Sequence, residues 1–384
     1  VSKSLMHRQT ALKAAHESIV LLKNEGLLPL KKGKYKKIAV IGPCAKDVWF
    51  GGYSGEPYEK VSLLEGIRAK AGNGTEVLFA QGCRLTINTT LSYFNWKYDE
   101  IKFASREENL KLIKEAVKVA SGADLVILAL GENEHLCREA WALNHIGDNM
   151  TLDLFGEQNE LADAINALGK PVVLYLANGR PLSINKLAEK VPAIVEGWYM
   201  GQETGTAAAD ILFGEVNPSG KLTITFPKSA GQLPMYYNHK PSAQWQDYIS
   251  QDVKPLFRFG YGLSYTKFKY GKPVLKKTMV KKGEATKVTV DVTNTGKVAG
   301  DEIVQLYIRD VVSSVTRPVK ELKGFARVSL KPGETKKVTF EITPDKLAFH
   351  NIDMKYVVER GDFEIMTGSS SGDEDLQKTV LTVV

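Results

Sequence analysis

The string Asp124-Leu-Val-Ile-Leu-Ala-Leu130, running into Gly131-Glu-Asn-Glu-His-Leu-Cys-Arg-Glu139, decides how this chain is read. The first part is a short, nearly continuous apolar run bounded by glycine. That pattern describes a strand covered on both faces rather than a surface helix. Three glutamates, Glu132, Glu134 and Glu139, then fall within eight residues of the strand's carboxyl end. Open α/β sheets place their ligands at that end.

Working outward, the same alternation repeats. Leu12, Ala15, Ile19 and Leu22 share one helical face, and Gly26 fits a helix stop. A strand at 38–41 ends in Gly42-Pro43. Ser62-Leu-Leu-Glu65 and Ser105-Arg-Glu-Glu108 are capping boxes, each opening a helix. Strands are expected at 76–80, 172–177 and 193–196, and helices at 158–168 and 205–213. Apolar strands separated by amphipathic helices imply a mostly parallel sheet with helices on both faces. After Pro273 the period becomes two. Val288, Val290 and Val292 alternate with polar residues, as do Val338, Phe340 and Ile342, and Phe363 and Ile365. Turn signals stand between these runs, at Asn294-Thr-Gly296, Lys331-Pro-Gly333 and Arg360-Gly361. This describes a β-sandwich of immunoglobulin or fibronectin type. The expected organisation is 1–231 for the α/β domain, 232–267 for a connecting segment and 268–384 for the sandwich. The connector is rich in Tyr, Pro, Gly and Ser. It is too aromatic for a free linker and is expected to pack across both domains.

Composition bounds the function. The chain has 384 residues, 43% hydrophobic and 25% charged, as in ordinary globular domains. Its net charge is +7, but 51 basic and 44 acidic residues are interspersed. The short basic clusters at 31–37 and 276–277 read as solvated element edges, so no nucleic-acid partner is expected. Cys44, Cys83 and Cys137 form neither a C-x-x-C pair nor an even set, which points to neither a zinc site nor a disulfide framework. No apolar run reaches the roughly 18 residues of a membrane span. The opening residues Val1-Ser-Lys-Ser-Leu-Met-His-Arg-Gln9 do not read as a signal peptide. They read as the middle of a helix, so a piece of a longer polypeptide is expected.

The acidic loop is the best candidate for chemistry. Glycosidic bond cleavage uses two carboxyl groups flanking the bond. A general acid among them must keep its proton near neutral pH; burial raises a glutamate pKa and a neighbouring cation such as Arg138 lowers it. Chemistry alone does not choose among Glu132, Glu134 and Glu139, and a solvated acidic loop fits the same string. Gly51-Gly-Tyr-Ser-Gly55 could bring a flat ring to a sugar face, or be an ordinary turn. His135 and His145 flank the loop and could orient it. The phosphate-binding fingerprints G-x-G-x-x-G and G-x-x-x-x-G-K-[ST] are absent, as is the G-x-S-x-G elbow. A doubly wound nucleotide-binding protein therefore lacks its phosphate loop.

Several strings, in order along nearly the whole chain, resemble glycoside hydrolase family 3, the β-glucosidase and β-xylosidase family. They are Ala14-Ala-His-Glu-Ser-Ile-Val-Leu-Leu-Lys-Asn-Glu25, Leu28-Pro-Leu30, Ile38-Ala-Val-Ile-Gly-Pro43, Asn178-Gly-Arg-Pro-Leu182, Gly201-Gln-Glu-Thr-Gly205, Phe213-Gly-Glu-Val-Asn-Pro-Ser-Gly-Lys-Leu222 and Phe259-Gly-Tyr-Gly-Leu-Ser-Tyr265. Asn294-Thr-Gly296 and Val304-Gln-Leu-Tyr307 follow the pattern further on. The resemblance implies an open, mostly parallel (α/β)6 sandwich domain followed by a fibronectin type III-like domain. It implies retaining, exo-acting hydrolysis of β-linked sugars without a cofactor or metal. By position within the string from Gly131 to Leu154, it assigns the acid/base role to Glu139, in Arg138-Glu-Ala140. It assigns Tyr53 as an aromatic wall of the leaving-group subsite, with Arg138 beside the substrate.

The resemblance covers only the C-terminal part of that family. The Ser-Asp-Trp string of its nucleophile does not occur here, nor does the Lys-His clamp of its (β/α)8 barrel. The chain alone is therefore expected to be inactive. Its expected partners are the barrel of the same polypeptide, a β-linked oligosaccharide or an aryl or alkyl β-glycoside, and, as one option, a second copy in a homodimer. Glucose ranks before xylose; the two differ by one hydroxymethyl group. A non-catalytic carbohydrate-binding or scaffolding protein built from the same two domains is the competing reading. The family implies a periplasmic or secreted location. A broad apolar face on the α/β domain is expected where a barrel would dock.

Overall fold

The computed structural model describes residues 4–51, 54–55, 57–87, 101–140, 146–241 and 247–384. They form two compact units. One comprises Val1–Gly220 and Pro227–Gly231, the other Lys221–Phe226 and Gln232–Val384.

The first unit is built on a six-stranded sheet. Its strands are β1 (Val20–Asn24), β2 (Lys37–Ile41), β3 (Glu76–Ala80), β4 (Leu125–Gly131), β5 (Val172–Ala177) and β6 (Ala193–Glu196). Their order is β1-β6-β5-β4-β2-β3, parallel except for β1, which runs antiparallel to β6. Every residue of β4, β5 and β6 is buried, as expected for strands covered on both faces. The helices are α1 (Leu5–Ser18), α2 (Leu63–Lys70), α3 (Arg106–Ser121), α4 (Gln158–Asn166), α5 (Asn185–Lys190) and α6 (Thr204–Leu212). The capping box at Ser62 is complete. Its hydroxyl accepts from the Glu65 N–H at 3.3 Å, and the Glu65 carboxylate accepts from the Ser62 N–H at 2.8 Å. At Ser105 the hydroxyl caps Glu108, whose carboxylate pairs with Arg84 at 3.4 Å.

One expected element is corrected. The helical face of Leu12, Ala15, Ile19 and Leu22 does not continue through Leu22. α1 ends at Ser18, and residues 20–24 are the antiparallel edge strand. Ile19 and Val20 are β-branched and stiff at χ1, and residues 19–22 are all buried, so a strand satisfies them better. Gly26, at φ 86°, serves the turn after this strand rather than a helix end. The Asn24 side chain closes that turn by accepting from the Gly26 and Leu28 N–H groups at 3.2 and 3.0 Å.

The topology also locates a crevice. β2 has β3 on one side and β4 on the other, so the winding reverses between β2 and β4. Ligands of open α/β sheets bind outside the carboxyl ends at such a reversal. The loops that leave these two strands begin at Gly42 and at Glu132.

The second unit is a two-sheet sandwich. One sheet holds Thr335–Ile342, Thr286–Asn294, Phe268–Tyr270 and Val274–Leu275. The other holds Glu321–Leu330, Gly300–Asp310, Gly361–Gly368, Leu376–Val383 and Met279–Val280. The residues singled out by period-two patterning line a single core: Val288, Val290, Val292, Val338, Phe340, Ile342, Phe363 and Ile365 are all buried in it. Within this unit Tyr237 stacks on Phe259 at 4.2 Å between ring centres and meets Tyr307 edge-on at 5.8 Å.

Candidate active site

β4 ends against β5 with almost no clearance. Gly131 has φ 149°, and a Cβ there would lie 1.9 Å from the Ala177 carbonyl oxygen, so only glycine fits. The buried Gln158, which opens α4, clamps this residue from both sides. Its Oε1 accepts from the Gly131 N–H and its Nε2 donates to the Gly131 carbonyl, each at 2.9 Å.

Beyond this clamp the three glutamates separate by environment. Glu132 is wholly buried. Arg180, three residues past the end of β5, donates to it from Nε at 2.9 Å and from Nη2 at 2.7 Å. This is a bidentate fork, the strongest common form of ion pair. Burial pulls the Arg180 pKa down, but the hydrogen bonds and charge of Glu132 outweigh it and the net shift is upward. Glu134 is largely covered, with a carboxylate oxygen 3.9 Å from Nε2 of the buried His135. Glu139 is exposed.

The loop carrying Glu139 returns on itself. The Asp148 N–H donates to the Arg138 carbonyl at 2.7 Å, and Asn149 Nδ2 donates to the Leu136 carbonyl at 3.2 Å. Gly147 lies so close that a Cβ there would be 2.2 Å from the Ala140 nitrogen and 2.5 Å from the Arg138 oxygen. Glu139 therefore stands beside a closed neck. Arg138 is half-buried, with Nε and Nη2 shielded from solvent. Cys137 Sγ lies 3.8 Å from the Tyr199 hydroxyl, and burial pushes its thiol pKa up to about 11, so it is no nucleophile at neutral pH. Tyr53 and His145 lie outside the described residues.

A second buried carboxyl, Glu196, sits at the end of β6. It accepts from the Trp198 N–H at 2.9 Å and from Asn178 Nδ2 at 3.1 Å. Burial raises its pKa to about 8 against the opposing effect of those two bonds. Arg180, Asp148, Gln158 and Glu196 were not picked out as functional from the sequence. Arg180 belongs to the string Asn178-Gly-Arg-Pro-Leu182, which by itself gives its side chain no role. Its signal was a cation just past one buried strand with an acid just past another, but the pairing depends on register, which places Gly131 opposite Ala177.

Among the described residues, no group of three or more His, Cys, Asp or Glu is placed to hold a metal ion, and no helix is long and apolar enough to cross a membrane. All three cysteines are free thiols.

Residues 19–265, more than half of the chain, match the glycosyl hydrolase family 3 C-terminal domain. The chain belongs to glycoside hydrolase family 3. Residues 302–371 match a fibronectin type III-like domain, in keeping with the sandwich. Among family relatives, the chain is 45% identical over 390 residues to a β-xylosidase of Formosa agariphila. It is 41% identical over 387 residues to a periplasmic β-glucosidase of Salmonella typhimurium. These alignments take in 98% and 96% of this chain but 50% and 49% of those proteins, so the chain spans about half the length of the relatives it matches. A β-glucosidase structure from Erythrobacter marinus superposes with a TM-score of 0.94 at 45% identity, over 100% of this chain and 51% of that one. The β-glucosidase from Listeria innocua in complex with glucose superposes with a TM-score of 0.83 at 34% identity, over 99% and 50%.

Proposed function

We propose that this chain is the C-terminal portion of a retaining, exo-acting β-glucosidase and that Glu139 is its acid/base. The observation that carries the proposal is the separation of the three glutamates. Glu132 is committed to Arg180 and Glu134 is largely covered, while Glu139 is exposed beside a tethered neck. A group that gives a proton to a substrate oxygen must reach it, and a group locked in a fork cannot.

In the first step the Glu139 carboxyl gives its proton to the glycosidic oxygen as the C1–O bond breaks. An aspartate carboxylate of the upstream barrel bonds to C1. In the second step ionised Glu139 takes a proton from water, whose oxygen bonds to C1 as the C1–carboxylate bond breaks. A retaining enzyme holds the two carboxyls about 5–5.5 Å apart. The chain alone, without the barrel, is inactive in this reading. Arg138 lines the substrate beside Glu139, and Tyr53 walls the leaving-group subsite. The substrate is a terminal β-linked glucosyl residue of an oligosaccharide or an aryl or alkyl glucoside. The Salmonella relative's name supports a periplasmic or secreted location. A β-xylosidase is the second reading, favoured by the 45% identity to the Formosa enzyme.

The test is hydrolysis of 4-nitrophenyl β-glucoside and β-xyloside by the chain alone and by the chain joined to its upstream half, each with Glu139→Gln as control. Turnover by the joined protein alone, lost in Glu139→Gln, supports the proposal. Turnover by the isolated chain would place a second carboxyl within these residues and sink it. The faster of the two glycosides decides between glucose and xylose.

A further inference from the structure

Arg180 touches both feet of the loop that carries Glu139. Its Nε and Nη2 hold Glu132, the first side chain after β4, at 2.9 and 2.7 Å. Its Nη1 reaches Asp148 at 3.2 Å and the Asn149 carbonyl at 3.5 Å, where the loop returns. Arg180 is itself anchored from the next strand. The buried Asn178 donates to the Arg180 carbonyl at 2.9 Å and to Glu196 at 3.1 Å. The contacts thus run from the end of β6, through the end of β5, to both ends of the loop. Just beyond the second foot, the Asp148 N–H closes the neck on the Arg138 carbonyl at 2.7 Å, one residue before Glu139.

We infer that Arg180 is a positioning residue for Glu139, fixing the neck of its loop through the fork to Glu132 and the arm to Asp148. The inference rests on the acid/base reading of Glu139. A guanidinium fork sets direction as well as distance, which an ammonium point charge does not. A general acid works only within hydrogen-bond reach of the leaving oxygen, and a misplacement of about 1 Å can cost about 10²-fold. Without Arg180 the loop keeps its backbone bonds, including the Glu132 N–H to the Ala177 carbonyl, but loses the side-chain bridge that joins Glu132 at one foot to Asp148 at the other.

The test has two parts. In the chain alone, amide hydrogen exchange is followed in Arg180→Lys, in Asp148→Asn and in the double variant Arg180→Met/Glu132→Leu. The double variant removes both charges, so that no buried carboxylate is stranded. Faster exchange confined to residues 133–149, with β4 and β5 unchanged, is expected. With the upstream half present, kcat/KM is measured on a glucosyl disaccharide, whose leaving hydroxyl needs a proton, and on 2,4-dinitrophenyl β-glucoside, whose leaving group does not. A positioning defect lowers the first by about 10²-fold while leaving the second within about 3-fold. Arg180→Lys is expected to keep less than half of the wild-type disaccharide rate. A general folding defect lowers both substrates alike and would overturn the inference, as would unchanged values on both. Glu139→Gln is run in parallel. If it shows no preference for the activated substrate, the acid/base reading has failed. If it shows the preference and the Arg180 variants do not, only the positioning inference has failed.

Discussion

At the end of β4 the chain buries a carboxylate against a guanidinium, whereas at the end of the strand Thr286–Asn294 it buries a neutral amide. Asn294 is wholly buried in the sandwich corner. Its Oδ1 accepts from the Thr266 hydroxyl at 2.6 Å and from the Gly296 N–H at 3.0 Å. Its Nδ2 donates to the Val298 and Leu330 carbonyls at 2.8 and 3.0 Å. Both sites are buried and closed by short hydrogen bonds, to backbone at Asn294 and between side chains at Glu132, yet they differ in kind. The amide closes a corner with all four of its hydrogen-bonding positions used and no ion to desolvate. The ion pair carries a large desolvation cost and leaves one arm of Arg180 on an exposed partner, Asp148. The contrast teaches that a neutral side chain suffices where a turn only has to hold its shape. The charged fork stands where a long loop leaves the sheet at Glu132 and returns to it at Asp148.

The largest expected effect sharpens this contrast. Arg180→Met strands Glu132 as a buried charge and lowers the stability of the α/β unit by about 3–5 kcal/mol, read from urea unfolding. Adding Glu132→Leu recovers most of that loss. If the double variant is no more stable than the single one, the cost is packing rather than charge. Asn294→Ala leaves two carbonyls and two donors unpaired and lowers the stability of the sandwich by about 2–3 kcal/mol. Hydrogen exchange in residues 133–149 stays unchanged; faster exchange there would break the contrast between the two sites. Gly147→Ala forces a methyl against the Arg138–Ala140 backbone and costs about 1–3 kcal/mol, with proteolysis within the loop as its local readout. The smallest effect concerns Glu196. Its folded pKa of about 8 lies above the ordinary 4.5, so its contribution to stability is full below about pH 4.5 and is lost as pH rises through about 8. Between pH 6 and pH 7, stability falls by about 1 kcal/mol more in the wild type than in Glu196→Gln. Equal slopes in the two proteins would mean that Glu196 is already ionised in the fold.

Much of the fold was legible because periodicity reports burial directly. β4 and β5 begin and end within a residue of the runs at 124–130 and 172–177. The alternating valines of the sandwich point inward as their period demands. The strand at 20–24 was not legible, because a short buried run such as Ile19-Val-Leu-Leu22 has the same spacing on a helix face as in a strand and only its pairing with β6 decides. The site divides in the same way. The loop Gly131–Glu139 was visible as an acidic string after a strand, but the commitment of Glu132 to Arg180 was not, since it depends on a partner distant in sequence. Glu132 and Arg180 are 48 residues apart.

By itself the sequence determined the family, the two kinds of domain and the loop that bears the candidate acid, because local pattern and ordered strings carry those. Only the tertiary structure decided the strand order that reverses between β2 and β4, the fork that commits Glu132 to Arg180 and the neck beside Glu139. Those depend on which strand ends lie side by side, and no local interaction specifies that.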